Sequence, residues 1–431
     1  MAASDKEFDI VIFGASGFTG KFVIEELSRV ANENNIKWAI AGRSMEKLEA
    51  VLSDVTSSTG QDYSDIQILI ADSLNHESLL DMCTKTKCLI NCCGPFVYYG
   101  PKVIEACIEC KTHHVDVSGE PLFLEKVQLQ YNGPARENDV YIVGSCAFRC
   151  LPIDIGIMYT SQQFNGDLNN VEAYLSVDGP VRTGLPTFEC QVYGFQHRNE
   201  LGAIRKSLFT TKNFEFQHVV KPKSGLFYDK DSSKYCSVWP DAYRSVVYRS
   251  QRFLQDQETK RPTQYAFYFC NESLIFFILM FFSGLCLSFL SRFSFGRKLL
   301  MAFPTFFSGG IVKKGGPTKQ EVEKCSFSLK FCGNGYPSRV KELTDTHSDL
   351  PNKPIITKIN GPEPAYVTTA ICVTQAAIVI LKENQRMPNS GGVFTPASAF
   401  ANTTLVERLC KRNIKFQTVS ADETSPAAGD N

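Results

Sequence analysis

The stretch F-D-I-V-I-F-G-A-S-G-F-T-G-K-F-V-I-E-E-L, residues 8–27, decides the fold. Residues 9–13 pack β-branched and aromatic side chains into a short buried strand. Gly14, Gly17 and Gly20 follow at a spacing of three, and an apolar helical pattern then begins with Phe22, Val23 and Leu27. Strand, glycine turn and helix together let bare backbone approach a pyrophosphate. The amides of the first helical turn point at phosphate oxygens, and the helix dipole favours their charge. Gly14 serves the sharp turn, Gly17 the close approach and Gly20 the packing of helix on strand, with Ser16, Phe18 and Thr19 completing the loop. The spacing is G-x-x-G-x-x-G, not the commoner G-x-G-x-x-G, so the context of strand before and helix after carries the argument.

A second strand over 37–41 runs into Gly42-Arg43-Ser44. Where an NAD enzyme places Asp or Glu on the ribose 2′-hydroxyl, Arg43 and Ser44 stand here, and a guanidinium suits a 2′-phosphate. The cofactor expected is NADP(H) ahead of NAD(H). Further strands are expected at 66–71, ending at Asp72 where a carboxylate can meet adenine, and at 88–93, ending at Gly94-Pro95. Two more lie at 114–117, ending in Ser118-Gly119-Glu120-Pro121, and at 140–143, running into Gly144-Ser145-Cys146. Helical stretches at 45–53, 76–84, 102–110 and 122–129 alternate with them. That beat predicts an α/β chain with a Rossmann-like, doubly wound parallel sheet over 1–150, its ligands off the carboxyl ends of the strands.

After Leu151 the beat changes. Residues 151–362 read as an inserted mixed α/β substrate domain, with alternating apolar segments V-E-A-Y-L-S-V, F-E-C-Q-V-Y-G-F and Y-R-S-V-V-Y-R-S, and with 327–331 and 355–359 returning to its sheet. Residues 363–418 are expected to return to the Rossmann domain through a mostly apolar helix at 365–382. The tail 419–431, rich in Ser, Ala, Asp and Glu, is expected to be disordered.

In the insert, Leu274–Leu290 (L-I-F-F-I-L-M-F-F-S-G-L-C-L-S-F-L) holds seventeen residues without a charge, five of them Phe, and is followed by Arg292, Arg297 and Lys298. A spanning helix needs roughly 20 apolar residues, with about 17 as the lower limit. The segment is therefore read as an apolar membrane-associating helix with its cations at headgroups, against the alternative of a helix buried in a core or a dimer interface. A homodimer stays open.

Composition narrows the function. Lys plus Arg and Asp plus Glu both number 45, so no net field recruits nucleic acid. Asp5, Lys6 and Glu7 precede the first strand where a signal peptide would need an apolar run, so none is expected and the sixteen cysteines are expected as free thiols. Cys107 and Cys110, with His113 and His114, have zinc-like spacing but no second half-site, and read as ordinary helix and strand residues; no metal is expected. Tyr98 and Lys102 satisfy Y-x-x-x-K, a spacing that needs one helical turn between them, and Gly100-Pro101 argue against a regular helix there. Tyr98 or Tyr99 alone, and Glu120, are the candidates for proton transfer.

G-A-S-G-F-T-G, A-G-R-S, N-C-C-G-P-F-V-Y-Y-G, V-D-V-S-G-E-P and, far downstream, G-G-V-F-T-P-A-S-A-F together resemble the saccharopine dehydrogenase family, nearly end to end. The resemblance implies a Rossmann domain interrupted by an α/β substrate domain, and oxidoreductase chemistry. Its members include saccharopine reductases and bacterial enoyl reductases of glycolipid synthesis. Gly14, Gly17, Gly20 and Arg43 match the family's cofactor motif, whereas no saccharopine-binding set of arginines and acids matches onto the second domain. For this branch the resemblance implies association with lipid droplets or other membranes on the cytosolic side, mitochondrial or plasma membrane included, and a place in glycolipid synthesis. The expected function is NADP(H)-dependent hydride transfer to a C=C or C=O of a lipophilic substrate. The alternatives are a saccharopine-type amino-acid dehydrogenase, for which Arg182, Arg198 and Arg205 offer the only cationic cluster, and a silent lipid-droplet scaffold.

Overall fold

A computed structural model describes residues 6–238 and 242–419. Its first unit alternates as the glycine turn requires: β1 (Phe8–Phe13), α1 (Phe18–Asn34), β2 (Trp38–Gly42), α2 (Met45–Thr59), β3 (Gln67–Ile70), α3 (His76–Cys83), β4 (Thr86–Asn91), α4 (Phe96–Glu109), β5 (His113–Asp116), α5 (Pro121–Glu137) and β6 (Tyr141–Val143). The six strands stand in the order β3-β2-β1-β4-β5-β6, every neighbouring pair parallel. The order reverses between β1 and β4, and a ligand crevice opens at that switch point. Ile10, Val11 and Ile12 are fully buried because helices cover both faces of the sheet.

The second unit contains α6 (Leu151–Gln163), β7 (Asp167–Asp178), β8 (Thr183–Gly184), α7 (Leu185–Gln196), α8 (Leu201–Leu208), β9 (Leu226–Asp229), β10 (Lys234–Val238), α9 (Tyr243–Asp256), β11 (Gln264–Asn271), α10 (Leu274–Leu290), α11 (Ser294–Ala302), α12 (Pro304–Phe307), β12 (Val312–Lys313), α13 (Lys319–Glu323), β13 (Ser326–Tyr336) and β14 (Lys353–Pro362). The chain closes with α14 (Thr369–Glu383), β15 (Gly392–Phe394), α15 (Pro396–Phe400), α16 (Leu405–Lys411) and β16 (Lys415–Val419). The second sheet runs β16-β14-β13-β7-β11-β10-β9 and is mixed, with β7 and β11 parallel and the other pairs antiparallel. β8 and β12 form a small parallel pair of their own.

The expected return to the first unit is made by α14, packed on α1, β4 and β5, and by β15, which pairs parallel with β6. Four expectations are corrected. Residues 188–195 and 243–250 lie in helices α7 and α9, because an eight-residue apolar pattern fits either period and here Phe188 and Val192, or Tyr243, Val246 and Val247, gather on one helical face. Residues 415–419 leave the Rossmann sheet and pair with β14. Val419 thus ends a strand, and the rest of the expected tail, 420–431, lies outside the described residues. Helix α4 begins at Phe96 and runs through Gly100 and Pro101, so Tyr98 and Lys102 do stand one turn apart.

Pro101 forfeits one backbone bond, but the start of α4 is secured by Glu120, which accepts the amides of Phe96 and Val97 at 2.8 Å each. Among the described residues the one helix long and apolar enough to cross a membrane, Pro364–Arg386, is 83% buried and is a core helix. Helix α10 buries Phe277, Ser283 and Leu287 and leaves most of its remaining apolar side chains outward.

Candidate cofactor and substrate site

Gly14 adopts φ +81°, a left-handed conformation that costs glycine nothing, and a Cβ there would stand 3.0 Å from the carbonyl carbon of Cys92. A Cβ on Gly20 would stand 2.5 Å from the carbonyl oxygen of Gly14. The turn is thus closed to any side chain at these positions. Gly17 is the N-cap of α1; no side chain caps the first turn, and no acidic residue stands in it. Free amides and an uncompensated dipole end are what a pyrophosphate requires, so the residues fit NADP(H).

Arg43 follows β2 and is exposed. Its charge reaches the Cys93 thiol at the end of β4, as does Asp72 from the end of β3, so the three strand ends stand together. Burial pushes that thiol up, and Arg43 opposes it. Ser44 caps α2, accepting the Lys47 amide at 3.4 Å, and Asp72 accepts the Leu74 amide at 3.0 Å. Each is partly occupied by its own turn, and Arg43 is left as the group for a 2′-phosphate. Ser16 lies in the turn, and Phe18 and Thr19 open the first turn of α1. The Phe18 ring is clasped from the second unit by Tyr366, 4.5 Å between centroids, and by Gly316, whose Cβ would stand 2.6 Å from it.

The far wall comes from α7. A Cβ on Gly94 would stand 3.1 Å from Cys190 Sγ, and Cys190 also hydrogen-bonds Glu120. Glu120 is buried; desolvation raises its pKa, while the Phe96 and Val97 amides and Cys190 oppose the rise. With both oxygens engaged, this acid candidate acts as a brace between α4 and α7. Tyr98 is exposed, packs edge-on against Tyr193 of α7 and places Oη 3.1 Å from His197 Nε2, whose Nδ1 lies 2.8 Å from Glu200. Desolvation raises the Tyr98 phenol, and Arg297 of α11 opposes it. Tyr99 stands beside it on α4, half-buried. Lys102 is exposed one turn on.

Beneath the crevice, Asp116 Oδ1 accepts the amides of Ser118 and Ser145 at 2.9 Å and the Ser118 hydroxyl at 2.6 Å, tying the ends of β5 and β6 together. Its other oxygen lies 3.9 Å from His114 Nδ1, and neither atom has a hydrogen-bond partner. Burial pushes His114 down, toward neutral imidazole, so the two are not an ion pair. Sequence reasoning did not find Cys190, Tyr193, His197 or Tyr366; they sit 70 or more residues from the glycine turn, with no motif spacing to mark them. Arg182 and Arg205 do not converge: Arg182 donates to Gly310 O at 2.8 Å, and Arg205 forks onto Glu125 at 2.7–3.1 Å. The Arg198 side chain lies outside what the structure describes. Among the described residues no group of three His, Cys, Asp or Glu is placed to hold a metal.

Residues 10–143 match the family described as the saccharopine dehydrogenase NADP binding domain. Over 436 residues the chain is 38% identical to the human saccharopine dehydrogenase-like oxidoreductase, covering 98% of this chain and 100% of that one. It is 32% identical to the lipid droplet localized protein of Caenorhabditis elegans, covering 95% and 98%. A shorter match, 32% over 157 residues and 36% of each chain, is to a protein of Mycobacterium tuberculosis named as a trans-acting enoyl reductase.

Proposed function

The chain belongs to the saccharopine dehydrogenase-like oxidoreductases and carries their NADP-binding domain, and on that premise we propose that it reduces a C=C or C=O bond of a lipophilic substrate at a lipid surface. One observation carries the reading: α7 is a wall with two sides. Cys190 and Tyr193 face the cofactor crevice at Gly94 and Tyr98. Phe188 and Val192 pack with Leu287 of α10 and Leu300 of α11. The crevice is thereby one helix away from a face on which Ile275, Phe281, Phe289, Phe295 and Phe306 are each more than 60% exposed.

That face suits the surface of a lipid layer. Burying one Phe or Leu side chain gains about 1.5–3 kcal/mol, and Arg292, Arg297 and Lys298 border the patch with the charge that anionic headgroups attract. Helix α10 lies against the protein along Phe277, Ser283 and Leu287, with Ser283 Oγ donating to Phe307 O at 2.6 Å, and both of its ends join the same folded body. It is therefore proposed to lie in the plane of one leaflet, which fits the monolayer of a lipid droplet, the location named for the nematode relative.

Bound NADPH supplies the hydride. The residues of the chain seat it through the α1 amides and Arg43, close the crevice with α7 and hold the phenol of Tyr98 at the mouth, where His197 orients it as the proton donor. Arg182 and Arg205, engaged elsewhere, do not supply the carboxylate anchors of an amino-acid dehydrogenase.

Calorimetry with NADPH and NADH is the first test. NADPH is expected to bind more tightly, and Gly17→Asp to abolish binding by placing a carboxylate where the phosphate sits. With vesicles carrying a long-chain enone or ketone, NADPH absorbance is expected to fall, and Tyr98→Phe to slow that fall without changing NADPH affinity. NADPH binding with no oxidation against either substrate would leave the silent scaffold as the function.

A further inference from the structure

On the other side of the first sheet's ligand end, the second half of α5, the end of α8, helix α9 and β15 enclose a groove of about 360 Å³. Helix α5 starts at Glu120 in the crevice and rises about 1.5 Å per residue, so Arg136 is about 22 Å along it from the cofactor end. Three arginines line the groove, Arg136, Arg249 and Arg252, against one carboxylate, Asp256.

Arg249 and Arg252 are nearly fully buried, 4% and 5% exposed. Arg252 has both terminal nitrogens engaged, one by Asn213 Oδ1 at 2.7 Å and Lys212 O at 3.2 Å, the other by Asp256 at 3.0 Å, Thr211 O at 3.1 Å and the Thr211 hydroxyl; only its Nε has no partner, so it brings charge to the groove and no free fork. Arg249 donates from Nε to Gln128 Oε1, and no hydrogen bond or ion pair among the described residues uses its two terminal nitrogens. Three buried acids act on Arg249 through space, Glu125, Asp154 and Asp116, without a hydrogen bond to it; Asp154 Oδ1 and Asp116 Oδ2 have no hydrogen-bond partner. Glu125 is forked by Arg205 and receives the Ser245 hydroxyl at 2.7 Å, while Asp154 accepts the Ala397 amide and the Ser250 hydroxyl at 2.8 Å each. Burial pushes the Arg249 guanidinium down to about 10. The acids balance the Arg249 charge from within the protein, and its terminal nitrogens stay idle beside a groove whose own lining is net positive, where a small anion can take them up. Phe253 and Phe394, 5.8 Å between centroids, supply an apolar side to the same groove.

We propose that this groove binds a small phosphomonoester, its phosphate on Arg249 and Arg136 with the Arg252 charge beside it, and its apolar part against Phe253 and Phe394. A planar guanidinium fork matches phosphate oxygens in pairs, and Arg249 has one fork free. The site is separate from the NADP turn, so occupancy of one leaves the other open.

The test titrates inorganic phosphate and phenyl phosphate into NADPH-saturated protein at constant ionic strength, followed by calorimetry and phosphorus NMR. Saturation keeps phosphate out of the cofactor turn. Both probes are expected to bind, phenyl phosphate the more tightly; Arg249→Gln is expected to abolish binding, and Arg136→Gln to weaken it roughly tenfold, the worth of one charge-assisted bond. Arg136 is exposed, so its variant folds even if Arg249→Gln does not. No binding of either probe at millimolar concentration, or affinities unchanged in Arg136→Gln, would overturn the site. Equal affinity for the two probes would overturn the role given to Phe253 and Phe394.

Discussion

A methyl group on Gly20 would meet the carbonyl oxygen of Gly14 at 2.5 Å and the Cα of Ala15 at 2.7 Å, backbone atoms with no rotamer to retreat into. Gly20→Ala is expected to prise α1 from β1, costing about 1–3 kcal/mol in urea unfolding and weakening NADPH in calorimetry; wild-type values in both would show that the turn tolerates a side chain. Asp154 gives a residue-scale prediction of a different kind. Burial raises its carboxyl from 3.8 to about 6, against the pull of the Ala397 amide, Ser250 and Arg249. The folded state then holds a proton that the unfolded chain has released. Stability falls as pH rises from 3.8 to about 6, and above that the whole penalty is present. Asp154→Asn keeps an acceptor for both donors and removes the charge, so its advantage in urea midpoint over the wild type is expected to grow from pH 4.5 to pH 7.5. Parallel pH profiles would contradict this. Of the site residues, the three glycines and Arg43 were legible because the chemistry of each is local to the turn that follows its own strand, β1 or β2. Glu120 was legible only as an acid; its work as the brace of α4 depends on Phe96, 24 residues away in sequence.

At the scale of elements, α10 and α7 divide the question of what the sequence can say. The apolar run of α10 is evident in its composition, and its exposure makes a direct prediction. Replacing Phe281, Phe289 and Phe306 together by Ser removes three outward rings while leaving Phe277, Ser283 and Leu287 in their packing. The variant is expected to keep NADPH binding and its unfolding midpoint, and to lose flotation with phosphatidylcholine–phosphatidylserine vesicles. Undiminished flotation would reject the lipid face, and dissociation of an oligomer in its place would assign the patch to a second copy. Helix α7 was not legible as a helix. Phe188 and Val192 are spaced for one, but F-E-C-Q-V-Y-G-F alternates well enough for a strand, and the choice is made by Leu287 and Leu300 on one side and Gly94 on the other. In α4 a proline counted against a helix that tertiary caps then sustain.

Across the whole molecule, specific polar contacts join the two units. Arg205 of α8 forks onto Glu125 of α5, a carboxylate 1% exposed that also receives Ser245 of α9. Arg205→Ala leaves that carboxylate buried with its cation gone, and about 1–3 kcal/mol of stability is expected to go with it. Glu125→Gln in the same chain is expected to recover part of the loss in urea unfolding; additive losses would show that the pair does not couple the units. The sequence by itself determined the parallel α/β unit, its glycine turn and its preference for NADP(H), since these follow from periodicity and from a motif within 37 residues of chain. It also marked Leu274–Leu290 as a segment that water does not favour. Only the tertiary structure decided that β16 crosses to the second sheet, that α7 forms the second wall of the crevice, and that Arg249 lies buried with donors to spare. Those outcomes depend on partners far apart along the chain, where no local pattern records which surface a residue will meet.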